Sequence, residues 1–152
     1  MQHLTDWHRR FKQQATWTAN LRQYLLNIAN LEPGSKILDV GCGTGALFSD
    51  FDPVNSTLVG LDIDKSSLLF AKELAQKPGL ICGDGYRLPI RSGSFDLVFC
   101  HYLLLWCKDP LAILKEMHRV TKKGGMVMCF AEPDYTSRID HPEEFRRLGR
   151  LQ

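Results

Sequence analysis

The sequence predicts an α/β fold built on a doubly wound, parallel five-stranded sheet, and three observations carry that expectation. Short apolar runs alternate with helical patterns between Lys36 and Phe130, the first run breaks into glycine at Gly41, Gly43 and Gly45, and acids close several of the later runs. With 152 residues and 44% hydrophobic content, the chain supports one domain with a real core and little room for a second.

The elements follow in order. Leu4, Trp7, Phe11, Leu21, Leu25 and Ile28 recur at three- and four-residue steps, interrupted at Gln14 and Thr18, so residues 1–34 read as a helical cap ended by Glu32, Pro33 and Gly34. The first strand, Lys36 to Val40, runs into the glycines, with a short helix expected after Gly45. A second strand, Thr57 to Leu61, precedes a helix from about Ser66 to Gln76 with Asp64 as its cap. The third strand is Leu80 to Cys82, and the turn-rich Pro89 to Ser94 leads into the fourth, Phe95 to Cys100. Asp109 and Pro110 announce a helix over Leu111 to Val120, and Lys122, Lys123, Gly124 and Gly125 read as its cationic, glycine-closed end. The fifth strand is Met126 to Phe130. Residues 35–135 thus form a Rossmann-like sheet domain, and 136–152 read as the start of a following helix.

Composition excludes several classes. The net charge is +2, and Lys and Arg gather at both ends without a dense basic run interleaved with aromatics, so no nucleic acid is expected as a partner. No apolar run is long enough to span a bilayer, and the N-terminus lacks the apolar core of an export signal, so neither membrane insertion nor export is expected. The five cysteines, Cys42, Cys82, Cys100, Cys107 and Cys129, are scattered without a CxxC pair. They fit reduced, mostly buried thiols of a cytoplasmic protein, and no metal site is expected.

In an open parallel sheet the ligand crevice lies beyond the carboxyl ends of the strands. Asp62 ends the second strand, Asp84 follows the third, His101 follows Cys100 at the end of the fourth, and Glu132 lies just beyond the fifth, so all converge on the glycine loop. Asp96 begins its strand and reads as structural. Asp39 sits among apolar residues, where a carboxylate needs a polar partner or a pocket. Asp62 follows the loop at the interval where such folds place a ribose-binding acid, the bland alternative being a turn acid before the Asp64 cap. GCGTGA also fits a degenerate nicotinamide fingerprint, so NAD and a second cofactor class both remain open on the loop alone.

The order ILDVGCGTG, VGLDID, GDGYRLPIRSGSFDLVFCHYLLLW, LKEMHRVTKKGGMVMCFAEPDY resembles the successive motifs of class I S-adenosylmethionine-dependent methyltransferases, in the branch that includes quinone and sterol methyltransferases. The resemblance spans roughly Ser35 to Tyr135. It implies that Gly41, Cys42, Gly43 and Gly45 pass beside the methionine part of S-adenosylmethionine, with Asp39 ordering its amino group. Asp62 would hold the ribose, Ile63 would lie on the adenine, Asp84 and Gly85 would bond the adenine edge, and the Cys100 carbonyl and His101 region would complete the methionine pocket.

Methyl transfer to a small-molecule acceptor, leaving S-adenosylhomocysteine, relies on alignment and desolvation more than on side-chain chemistry. Where a proton must leave, His101 is the first candidate catalytic residue, with Glu132, Asp134 and Tyr135 behind it; a pocket-wall histidine is the plain alternative. Arg10, Phe11, Gln14 and Trp17 resemble the N-terminal segment that covers the cofactor in related enzymes, against the alternative of a helix simply packed on the sheet. Cys42 in the loop reads as space-saving, and Trp106 as core or at the pocket mouth. The family's usual sixth and seventh strands find no counterpart before Gln152, so the chain reads as the cofactor half of a methyltransferase. An inactive cofactor-binding fragment is the alternative, as is a fifth strand whose edge a second copy or a partner covers.

Overall fold

The computed structural model describes residues 2–51, 55–74 and 78–132. Five strands, β1 (Ser35–Val40), β2 (Ser56–Asp62), β3 (Gly79–Cys82), β4 (Phe95–His101) and β5 (Thr121–Phe130), form one sheet in the order β3-β2-β1-β4-β5, with every pairing parallel. The chain turns one way from β1 to β2 and β3 and the other way to β4 and β5, so the switch point falls at the end of β1, where the glycines lie.

Alternation along the strands divides the core. Leu38, Val40, Val98 and Cys100 face α4 (Pro110–Val120) and meet Ile113, Met117 and Val120. Ile37, Leu97, Phe99, Met128 and Phe130 face the N-terminal helices α1 (Gln2–Trp17) and α2 (Ala19–Ala29), meeting Ala15, Leu25 and Leu26. A third cluster joins Cys42 and Phe48 to Leu68 and Ala71 of α3 (Lys65–Leu74). Asp39 and His101 therefore share the α1–α2 face with Ile37 and Phe99, because they follow the same period of two.

The helix boundaries rest on polar caps. Asp109 accepts from Ala112 N at 3.1 Å with Pro110 in the first turn, and Asp64 accepts from Ser66 N and Ser67 N at 3.0 and 3.2 Å. Asp96 is structural as expected, since it accepts from Lys36 N at 2.9 Å and pairs with Lys122 Nζ at 2.8 Å.

The N-terminal helical cap is two helices, and the interruption expected at Thr18 is the break between them, where φ of −114° and ψ of 9° leave the helical region. Two expectations need correction. The helix expected after Gly45 is a single 3-10 turn, Phe48–Asp50, since Leu47, Phe48 and Phe51 are drawn into two different core clusters and Phe51 is already extended. Lys122 to Gly125 do not close α4. Thr121 is extended, and these residues form an irregular start to β5, where the pairing jumps from Phe95↔Thr121 to Leu97↔Met126. The glycines serve that irregularity: Gly124 takes φ +81°, and a Cβ at Gly125 would stand 2.8 Å from the Asp96 carbonyl oxygen.

Candidate functional site

Past Val40 the backbone folds back over β2, with Gly41 N and Cys42 N both donating to the Leu61 carbonyl at 2.7 and 3.0 Å. Gly41 has φ +75°, a conformation glycine takes without strain, and a Cβ there would stand 2.7 Å from Leu103 Cδ1 and displace that side chain of the turn after β4. Gly43, at φ +51°, has open space where its Cβ would be. Asp62 pins this loop: Oδ2 accepts from Gly43 N at 2.7 Å and Oδ1 from Asp64 N at 2.8 Å. A carboxylate offers about four acceptor sites, so these bonds leave Asp62 capacity for a ligand hydroxyl.

The other side is fastened from β5. Tyr102 adopts φ 54°, a left-handed conformation costly for a non-glycine residue, and turns the chain out of β4. Glu132 holds the turn that follows, accepting from Leu103 N at 2.8 Å and from Leu104 N at 2.9 Å. Each oxygen thus ties down one backbone amide of the turn, and Glu132 does not line the cavity, so it acts as a buttress of the site.

Between these walls lies a cavity of about 540 Å³. Its floor is Asp39, Gly41, Cys42, Gly43 and Asp62 with His101; Trp7, Phe11 and Gln14 of α1 cover one side, and Tyr102, Leu103, Leu105 and Trp106 the other. Trp7 and Phe11 rings lie 5.6 Å apart, and the Arg10 guanidinium sits 5.3 Å over Trp7. Trp106 is 80% exposed. Large apolar side chains left in water around a cleft are typical of a binding surface.

Charge in the cavity is one-sided. Asp39 and Asp62 line it, and no Lys or Arg does so among the described residues. Burial pushes the Asp39 carboxyl well above the usual carboxylate range, and the nearby Asp62 and Asp50 push it further. Burial also lowers the His101 imidazole to about 4, helped by the Arg22 charge and opposed by Asp50, so His101 is neutral at neutral pH. Burial raises the Cys42 thiol, which fits a small inert side chain in a tight loop.

The structure thus brings Asp39, Gly41, Cys42, Gly43, Asp62 and His101 to one cavity, with Phe11 and Gln14 over it. Gly45 faces a neighbouring cavity under α1 and α3, and Ile63, Asp84, Gly85, Cys100, Arg10 and Trp17 do not line the main one. Ile63 is 73% exposed at the end of β2, Asp84 accepts from Tyr86 N at 2.9 Å in the turn after β3, and Cys100 is buried on the α4 face. Trp17 is exposed and Arg10 stands outside Trp7. Asp134 and Tyr135 lie outside the described residues. Sequence reasoning missed Trp7, which it placed only in the amphipathic helical pattern, and gave no role to Leu105 or to the buried Arg22.

Comparison with known proteins agrees with this geometry. The methyltransferase domain family matches residues 38–129. The chain belongs to that family. A demethylmenaquinone methyltransferase of Staphylococcus epidermidis is 36% identical over 125 residues, 78% of this chain and 50% of that protein. A malonyl-[acyl-carrier protein] O-methyltransferase of Serratia marcescens is 30% identical over 104 residues, covering 68% of this chain and 41% of the relative. The chain spans about half the length of the curated relatives it matches. Among solved structures, a Bacillus halodurans protein assigned as a methyltransferase superposes with TM-score 0.63 at 27% identity, over 70% of this chain and 48% of that one. A Haloferax volcanii complex of a methyltransferase with its activator gives TM-score 0.70 at 23% identity, over 82% and 57% of the two chains, and shares the fold. The methyltransferase match runs from the second half of β1 through most of β5, the segment that builds the glycine loop and the strand ends around it.

Proposed function

We propose that the chain binds S-adenosylmethionine in this cavity and serves methyl transfer to a small-molecule acceptor, releasing S-adenosylhomocysteine. The observation that carries the reading is the cavity's lining, two acidic residues, Asp39 and Asp62, and no cationic side chain among its described lining residues; burial favours the neutral form of Asp39 in the empty cavity, and a bound ammonium would favour its carboxylate. A sulfonium carrying an ammonium group fits such a site. The 3-10 turn after the loop offers little of the helix dipole that holds the pyrophosphate of NAD elsewhere.

In this reading the Gly41–Gly43 backbone lies along the methionine portion, and Asp39 takes its ammonium. Asp62 takes the ribose hydroxyls, while exposed Ile63 and Asp84 and half-buried Gly85 offer the adenine surface at the rim. The backbone of Cys100, and Gly45 behind the loop, support the same wall, and Arg10 and Trp17 close from the helical cap. The cofactor supplies an electrophilic methyl on a neutral leaving group. The protein's part is alignment and exclusion of water, for which Trp7, Phe11, Leu105 and Trp106 provide the apolar mouth. That mouth suits an acceptor with an apolar body. His101 is the polar side chain on this floor for the acceptor to meet, and five free thiols fit a reducing cytoplasm.

Titration calorimetry of the purified chain with S-adenosylmethionine, S-adenosylhomocysteine and NAD tests the proposal. Binding of the first two and not the third is expected; binding of NAD alone would overturn it. Radiolabelled methyl transfer to candidate acceptors then separates turnover from binding by this chain.

A further inference from the structure

Arg22 is a buried arginine of α2 that does not itself line the cavity. Its side chain is 5% exposed, and its donors are engaged: Nε and Nη2 meet Asp50 Oδ2 at 2.8 and 2.7 Å, while Nη1 meets the Ala15 carbonyl at 2.6 Å and Thr18 Oγ1 at 2.7 Å. Thr18 Oγ1 in turn lies 3.3 Å from His101 Nε2. A chain of contacts therefore runs from Asp50, beyond the glycine loop, through Arg22 and the α1–α2 break to the histidine on the cavity floor.

The direction of the last bond follows from the first. A guanidinium only donates, so Thr18 Oγ1 accepts from Arg22, and that charge-assisted bond makes the hydroxyl a better donor and a poorer acceptor. The hydroxyl has one hydrogen to place. The alternative acceptor, the Ala15 carbonyl at 3.5 Å, is at the limit of hydrogen bonding and already receives the short bond from Arg22. The hydrogen goes to His101 Nε2, and a neutral imidazole that accepts at Nε2 carries its proton on Nδ1.

We propose that Arg22 and Thr18 are positioning residues that hold His101 as the neutral Nδ1–H tautomer, so that it serves the cavity as a hydrogen-bond donor and not as a proton acceptor through Nε2. The charged groups acting on the ring are Arg22 from α2 and Asp50 from the 3-10 turn, and burial reinforces the neutral state. The functional meaning rests on the methyltransferase reading: His101 would orient an oxygen of a bound molecule, and proton removal would fall to solvent or to the acceptor itself.

The tautomer is measurable without any ligand. Long-range proton–nitrogen spectra of the uniformly labelled chain, with His101 assigned by loss of its signals in His101→Gln, are expected to show Nδ1–H at pH 7. Thr18→Val should move the ring toward Nε2–H, and Thr18→Ser should restore the original pattern. The double variant Arg22→Met with Asp50→Asn removes the ion pair without orphaning a charge, and by freeing Thr18 Oγ1 to accept it should shift the ring toward Nε2–H. An Nε2–H ring in the wild type, or an unchanged Nδ1–H ring in folded Thr18→Val, would overturn the proposal. Calorimetry with S-adenosylmethionine on the wild-type sample keeps the two readings apart, since lost binding there removes the cofactor assignment and leaves the tautomer result standing.

Discussion

The cavity wall that carries Asp39, Gly41, Gly43 and Asp62 belongs to the sheet, whereas the wall that carries Trp7, Phe11, Leu105 and Trp106 comes from a helix and a turn laid over it. The first wall is polar, and its parts hold one another by hydrogen bonds from the loop backbone, Gly41 N and Cys42 N to the Leu61 carbonyl and Gly43 N to the Asp62 carboxylate. The second is apolar and half open to water, and it is anchored at a distance through Glu132 and Arg22. Binding a constant cofactor needs fixed donors and acceptors. Accepting a variable partner needs contact area that can be exchanged without disturbing them.

Substitutions can separate the two walls. The largest effect is expected where they share a foundation. Phe99 is fully buried on the face beneath both, with Phe51 and Phe130 rings 5.2 and 5.3 Å away, and Phe99→Ala should cost about 3–5 kcal/mol. Urea denaturation checks this, and a loss below about 1 kcal/mol would mean that the core recloses without the ring. Next comes the polar wall alone: Asp62→Ala should weaken S-adenosylmethionine binding at least tenfold, the equivalent of about 1.5–3 kcal/mol for a charge-assisted contact. Unchanged affinity in calorimetry would remove Asp62 from the cofactor site.

The pH dependence is a smaller and more specific test, because His101 lies where the two walls meet. Its folded-state value of about 4 is below the ordinary 6.5, so between those values the unfolded chain binds more protons. The stability this residue supports is complete above about pH 6.5 and is lost as the pH falls toward 4. Denaturation midpoints at pH 7 and pH 4.5 should therefore differ less in His101→Asn than in the wild type, and equal differences would show that His101 does not carry the effect. The smallest change in stability is expected at the apolar wall. Trp106→Ala, at a residue 80% exposed, should alter stability by no more than about 0.5 kcal/mol and leave cofactor affinity intact. A large fall in melting temperature would mean that the indole is structural packing.

The same division explains what could be read from the residues beforehand. All five strands and the polar wall were legible, because each strand is a short apolar run and the ligand-side ends of β1 and β2 are marked by glycine and acid. The apolar wall was only half legible. Trp7 and Leu105 have the same local pattern as core residues, and only tertiary placement distinguishes a ring facing a cleft from one facing a sheet. Arg22 sits on a helix that reads as amphipathic, and nothing local reveals that Asp50 will arrive beside it from the other side of β1. Lys122 to Gly125 misled for the opposite reason, since a cationic, glycine-rich stretch after a helix suits both a helix end and an irregular strand start, and the pairing with β4 selects the second.

The strand order also has a consequence for how the molecule assembles. β1 is central, and its contact with β4 joins Ile37 to Leu97, about 60 residues apart along the chain. Such a pairing requires closing a long loop before any contact repays the lost entropy, so it is expected late in folding. The glycine loop lies against Leu103, just beyond β4, and is therefore finished only when that closure is complete. A ligand that grips this loop would bind fully assembled chains and pass over half-formed ones, which would make its binding a clock for the end of folding.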